Sequence, residues 1–398
     1  VTLAAQTRAS GPDSLPSRPS IEFFGQLVSD GIYDFKSVNP DFFDVLRPTQ
    51  LPAFDEQFGR DGHAYFSVRP TRFGVRTTVP TDAGDVKGIL DWDLFGSGPN
   101  RGRTAFNLVR AYAELGRFGA GQFDSPFMDI DVFPNTLEYW GPTGIVFFRN
   151  VQFRYMPVQG DSRITLAIER PGASADQGDL DDHLDISGVR GRFPVPNLSA
   201  NGRLGQKWGY VQLGGILRWI YWDDLLRDDS LDLGGHVTAW GLSGSSNVKA
   251  SKTDVLKLQI TYGRGIQDYM DAPYDVGLRV RDDGSGVVIR AVTLPVFSGL
   301  AFYDHTWNDK VTSSIGWSGL RVTNSNGQSA LAYHSGQYAV ANLLYNAAED
   351  VMVGGEFQWG RRTNAFDGFA SNDFRLQLTA RFNYSLTLKP DKEKHDGK

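Results

Sequence analysis

Hydrophobic and polar residues alternate with period two along most of this chain. The clearest run is "NDFRLQLTARFNYSL". Phe374, Leu376, Leu378, Ala380, Phe382, Tyr384 and Leu386 fall on one face, with Arg375, Gln377, Thr379, Arg381, Asn383 and Ser385 on the other. A run of about thirteen alternating residues is long against the ~5–6 of an ordinary strand. "TAFNLVRAYAELG" sets Ala105, Val109, Ala111, Ala113 and Leu115 against Arg110, Tyr112 and Glu114. "RFGVRTTV" sets Phe73, Val75 and Val79 against Arg72, Arg76 and Thr78. The pattern predicts strands over 20–34, 64–79, 85–96, 103–115, 117–124, 147–157, 162–170, 184–194, 206–218, 231–243, 253–265, 299–308, 311–323, 334–347, 351–363 and 373–386. Outside residues 118–144, no stretch carries a convincing amphipathic helix.

Short turns at 80–85, 159–162, 308–310 and 347–350 alternate with longer polar connections at 36–61, 171–183, 266–298 and 324–334. Strand, short turn, strand, long loop is the rhythm of membrane barrels. An even strand number leaves both chain ends on the side of the short turns. The expected fold is therefore all-β: a 16-stranded antiparallel transmembrane β-barrel. A soluble sandwich would alternate as well, so periodicity alone does not decide. The polar face mixes small, charged and glycine residues, as a wet lumen would. Trp92, Tyr155, Trp208, Trp219, Trp222, Trp240, Trp307, Trp359 and Tyr384 sit near strand ends, as an aromatic girdle would.

Composition narrows the classes further. The chain has 398 residues, no Cys, and 40 Lys+Arg against 46 Asp+Glu, for a net charge of −6. Mild acidity without a basic cluster argues against nucleic acid as a partner. No apolar run approaches the ~18–20 residues of a membrane helix, whereas barrel strands need only ~9–11. Residues 1–19 are polar and proline-bearing and read as a flexible leader. The barrel is expected over 20–386, and 387–398 form a charged tail.

One stretch breaks the alternation: "FGAGQFDSPFMDIDVFPNTLEYWGPTG", Phe118 to Gly144. It reads as a strand up to about Asp124 and then as a bulky acidic loop. Pro126, Pro134, Gly141 and Pro142 keep it out of a ladder. "PNTLEYWG" is expected to hold one helical turn started by Pro134.

The run "RAYAELGRFGAGQFDSPFMDIDVFPNTLEYWGP" resembles the fourth strand, turn, fifth strand and inward-folded third loop of general trimeric porins, and is most similar to DcaP-like porins of proteobacteria. "SVRPTRFGVRTTVP" and "YDHTWNDKVTSSIGWSG" resemble other strands of that family. The resemblance spans about residues 20–386. It implies a homotrimeric outer-membrane pore, set in lipid and lipopolysaccharide, that passes small anionic solutes, dicarboxylates among them. No cofactor is implied. DcaP-like proteins carry an N-terminal coiled-coil segment, and residues 1–19 show no heptad. Such barrels usually end on an aromatic residue, whereas here "TLKPDKEKHDGK" follows Tyr384, Ser385 and Leu386.

Selectivity in a pore comes from charge around its constriction. Arg72 and Arg76 share the polar face of the second predicted strand, and Arg110 that of the fourth. Arg154, Arg375 and Arg381 extend the set, giving a candidate basic wall. A guanidinium stays charged and can grip a carboxylate with two N–H groups. The bland reading is that these arginines simply pair with acids such as Asp91, Asp93 and Glu114. The loop at 119–146 offers Asp124, Asp129, Asp131 and Glu138 as an acidic side facing that wall. Phe127, Phe133, Tyr139 and Trp140 supply bulk to anchor it and narrow the lumen. Clustered carboxylates can instead bind a divalent cation, but this spacing matches no standard calcium loop and no metal is expected. The six His are scattered, and there is no G-x-S-x-G elbow. An outer-membrane barrel hydrolase and an adhesin remain the rival classes.

Overall fold

The computed structural model describes residues 19–176, 189–225, 234–282, 284 and 287–389. Its strands are β1 (Ser20–Asp34), β2 (His63–Ser67), β3 (Arg72–Thr81), β4 (Gly84–Phe95), β5 (Thr104–Leu115), β6 (Phe118–Asp124) and β7 (Arg149–Val158). Next come β8 (Arg163–Glu169), β9 (Val189–Arg192), β10 (Asn197–Gln206), β11 (Gly209–Asp224), β12 (Gly235–Lys249) and β13 (Asp254–Arg264). Then follow β14 (Val276–Asp282), β15 (Val287–Thr293), β16 (Pro295–Thr306), β17 (Val311–Val322), β18 (Tyr333–Ala348), β19 (Val351–Asn364) and β20 (Ala370–Leu388).

Neighbours in sequence pair antiparallel around the wall, and β1 pairs β20 from Ile21↔Leu388 to Asp34↔Arg375. The sheet therefore closes on itself. β2 and β3 both pair with β1 and are two halves of one crossing. β9 and β10, interrupted between Arg192 and Asn197, are two halves of another, while β14 and β15 form a separate hairpin. Sixteen crossings result, the number read from the sequence.

The two faces decide what kind of barrel this is. On β20, Asp373, Arg375, Gln377 and Thr379 are buried, while Leu378 is 60% exposed. Phe106 and Phe153, on the outside of β5 and β7, are more than 70% exposed. Polar side chains point in and apolar ones out, the reverse of a soluble sandwich. Only a lipid-facing wall stabilises that arrangement. Trp208, Tyr155, Trp240, Trp307 and Tyr384 are among the outward aromatics. Trp222 is not a girdle residue: it packs inside, against Ile220, Ala239 and Val276.

Three expectations change. The eighth strand, expected over 184–194, lies partly outside the described residues and continues to Gln206. Pro194 and Pro196 interrupt it without ending it. The connection at 266–298 contains the β14–β15 hairpin. Val109, expected on the outer face, is buried, because the β4–β5 ladder slips between Asp91↔Arg110 and Trp92↔Leu108. The bulge keeps both Asn107 and Arg110 on the inner face.

Leu213 sits mid-strand on the outer face of β11, 62% exposed. Leu213→Arg should destabilise the folded barrel by about 2–4 kcal/mol in a lipid bilayer. Reversible urea unfolding in vesicles would measure it, and an unchanged midpoint would contradict the lipid-facing assignment.

Candidate functional site

The third loop (125–148) leaves β6 and turns inward. Its prolines cannot donate to a ladder, so wall pairing is closed to it. Its backbone polar groups still need partners once buried, and inward side chains of successive strands supply them. Asp129 accepts from Arg203 at 2.5 Å, Tyr210 at 2.8 Å and Ser245 at 2.6 Å. Asp131 pairs with Arg203 at 2.5 Å and Arg163 at 3.6 Å, and Asn247 donates to its carbonyl. Lys257 donates to the Phe133 carbonyl and Asn342 to that of Asn135. Glu356 accepts from the backbone of Leu137 at 2.7 Å and Glu138 at 3.1 Å. The Tyr139 hydroxyl donates to Asp93 on β4. Ser298 then holds the carbonyl of Gly144 at 2.8 Å. A Cβ on Gly144 would fall 2.5 Å from the Gly299 carbonyl oxygen, so only glycine lets the loop lie this flat on the wall.

The loop's single helical turn is a 3-10 turn at Ile130–Val132, capped by the Asp129 side chain. The turn expected at Pro134 is absent: Asn135 donates to Thr312, and the Leu137 and Glu138 N–H groups go to Glu356 on the wall.

A second element fills the lumen that the sequence did not announce. The first loop (35–62) seats Val38, Leu46 and Leu51 in one buried cluster with Val132, Ile145, Leu300, Phe302 and Tyr338. Arg47 lies over the Trp140 ring at 4.0 Å and donates through Nε to Asp271 at 2.7 Å. Thr49 and Thr143 also donate to Asp271. Loops one, three and six thus converge on one carboxylate.

These elements cover the wall from β10 through β19. Most of the predicted arginines lie on the remainder. Arg72 is 3.5 Å from Asp93, Arg76 3.1 Å from Glu22, and Arg110 grips Asp91 with its closest contact at 2.6 Å. Their side chains are 16–22% exposed. Arg76 also stacks on Phe24 at 3.7 Å. Arg154 bonds only neutral acceptors, the Gln152 side chain and the Asp124 carbonyl, and lies between Phe123 and Tyr112. The Tyr112 ring fits there because residue 119 is glycine; a Cβ would fall 1.8 Å from its hydroxyl oxygen. Arg381 is half-buried, and its Nε has no hydrogen-bond partner. Among the described residues, neither Arg154 nor Arg381 has a carboxylate within ion-pair distance.

The expected acid-against-base arrangement is corrected in three ways. Asp124 pairs with Arg149 at 2.9 Å, and Asp129 and Asp131 are taken by Arg203 and Arg163, so none of them meets Arg72, Arg76 or Arg110. Glu138 is buried, accepting from the Gly141 N–H, so it presents no charge to the lumen surface. Arg375 is fully buried on Asp34 and leaves the candidate wall. Phe127 is an anchor, buried beside Ile266 and Tyr269. Tyr139 stacks on Phe95 at 4.5 Å, while Phe133 and Trp140 stay partly exposed. Arg203 and Arg47 went unnoticed in the sequence. Alternation marks Arg203 as inward, alongside Ser199 and Asn201, but nothing local says which loop crosses to it.

Removing Arg203 would leave the buried Asp129 carboxylate without a cation and Asp131 with Arg163 alone. Arg203→Gln should cost about 3–5 kcal/mol, seen as a lower unfolding temperature with noisier open-channel current. Burial pushes the Glu138 carboxyl up to about 8. Its folded value lies above the ordinary glutamate range, so its contribution is complete below that range and is lost as pH rises through about 8. Current noise should therefore grow between pH 7 and 9 in the native protein. Glu138→Gln should stay flat across that interval, and equal pH dependence in both would remove Glu138 as the cause.

Comparison with known proteins agrees with this architecture. The crystal structure of the outer membrane channel DcaP of Acinetobacter baumannii superposes with a TM-score of 0.73 at 18% identity, covering 93% of this chain and 99% of that one. An anion-selective porin from Comamonas acidovorans gives 0.59 at 9% identity, over 92% and 100%. OmpT, an outer membrane protein of Vibrio cholerae, gives 0.56 at 10%, over 93% and 99%. No curated protein sequence matches the chain. At these identities the likeness establishes the fold, and the family is established separately by the sequence match over residues 5–384. The chain belongs to the DcaP outer membrane protein family and is an outer-membrane channel.

Proposed function

We propose that the channel passes small hydrophilic solutes down their gradients with a preference for anions, dicarboxylates among them. The third loop, seated with the first, sets its narrowest cross-section. One observation carries the preference. Arg154 and Arg381 sit on the inner wall without a carboxylate partner, whereas the loop acids Asp129 and Asp131 are neutralised by Arg203 and Arg163. Arg154 thus offers a cationic group with no ion pair, while Arg381 feels Asp30 and Glu356 only from beyond ion-pair distance. Arg72, Arg76 and Arg110 are balanced by their acids, yet their partly exposed edges still offer N–H groups to a passing carboxylate. Many weak contacts suit flux better than one deep site. A homotrimer is the assembly proposed, joined through the apolar outer faces of β1 and β20, where Phe23, Leu27, Phe382 and Leu386 are exposed.

The double variant Arg154→Gln, Arg381→Gln should lower the chloride-to-potassium permeability ratio roughly three-fold or more. Planar-bilayer reversal potentials measure this, and an unchanged potential would overturn the preference. Deleting residues 127–139 should raise single-channel conductance, and unchanged conductance would mean that the constriction lies elsewhere.

A further inference from the structure

The sixth loop (265–294) does more than connect β13 to β16. Its β14–β15 hairpin stands at the loop end of the barrel and is fixed on three sides. Val276 and Ala291 pack against Ile220, Val237 and Ala239, which belong to the inner face of β11 and β12. The outer edge of β14 is occupied by other loops. Asp176 donates to the Val276 carbonyl at 2.8 Å, Gly327 to that of Leu278 at 3.0 Å, and the Asn326 side chain exchanges two bonds with Val280. At the base, buried Arg218 reaches Asp275 at 3.0 Å and the carbonyls of Gly172 and Gly265. The hairpin is thus held over the barrel mouth, with the β11–β12 wall between it and the lipid.

Its other face is basic. The register sets Arg279 directly opposite Arg290, and Arg281 lies two residues along on the same face. All three are exposed, and none makes an ion pair or hydrogen bond among the described residues. Asp282 falls on the opposite face by alternation, and its carboxylate accepts from the Gly284 N–H. Like charges directly opposite on adjacent strands are destabilising. Local stability therefore does not account for this pair, and an anion between the two guanidiniums would relieve the repulsion. Directly opposed Cβ atoms lie ~4.5–5.5 Å apart, within reach of a single solute bearing two carboxylates.

We propose that Arg279, Arg281 and Arg290 form an anion-docking station at the mouth, which collects solutes carrying two or more negative charges and feeds them to the lumen. The inference rests on the anion reading above but is tested by a different quantity. Cells or proteoliposomes carrying the full chain would be assayed for initial uptake of succinate, with a neutral pentose as reference. In the triple variant Arg279→Gln, Arg281→Gln, Arg290→Gln, succinate uptake at low ionic strength should fall about three- to ten-fold relative to the pentose. The difference should vanish near 1 M salt, where the screening length is ~3 Å. The matching triple Lys variant, which keeps the charge, should retain most of the rate. The 1 M-salt reversal potential should stay unchanged, because the constriction is untouched. If the native protein favours succinate and the Gln variant does so equally, the docking station is overturned while the lumen reading stands. If the native protein shows no preference for succinate at low salt, both fall.

Discussion

A hydrocarbon layer offers a backbone N–H nothing to bond with, so a sheet that crosses it cannot have an edge. The β1–β20 ladder meets that constraint, and much of the molecule follows from it. Closure forces alternate residues outward into lipid and inward onto water, which is why Leu378 and Thr379 differ so sharply in burial. Closure also creates an interior too wide for side chains of the wall to fill. The chain fills it with loops, and the principal apolar clusters lie there, inside the ring, where Leu46, Val132, Ile145 and Phe302 meet.

A loop in that position has the same difficulty as the wall, with no ladder to answer it. Its carbonyls and N–H groups are satisfied one at a time by Ser298, Lys257, Asn342 and Glu356, each projecting inward from a different strand. The inner polar face therefore has two uses. From β10 to β19 it is mainly a seat for loops, and on the rest of the ring it lines the path of the solute in the function proposed above. Arginines occur in both regions, and their setting separates them. Arg203 and Arg218 are locked against carboxylates, whereas Arg154 lies on aromatic rings with only neutral acceptors.

Period-two alternation made the wall readable, since facing is a local property of a strand. The bounds of β1 came out as read, and those of β5, β13 and β17 came within about a residue of their expected ends. Local patterns misled where a strand tolerates irregularity, at the Pro194–Pro196 interruption and at the Val109 bulge. The prolines of the third loop showed that it leaves the wall, and the resemblance to trimeric porins implied its inward turn. Its electrostatic partners were not legible, because pairing across a lumen depends on how far around the ring the loop travels. Asp129 and Arg203 are separated by 74 residues, and no short motif links them. The first loop escaped notice for a related reason: its apolar residues follow no strand or helix period, and most of their partners come from much later in the chain.

That last separation bears on how the protein is assembled. Arg362 donates to the carbonyls of Thr49 and Leu51, Asn364 to that of Ala53, and Ser371 to that of Pro52, across more than 300 residues. Part of the seat of the first loop is therefore built from the last strands to be made. Until β19 and β20 are in place, that loop lacks these bonds and rests on the third loop, β16, β18 and Asp271. A barrel caught before closure is thus one whose first loop is only partly seated, and the seam that seals the wall also completes what lies inside it.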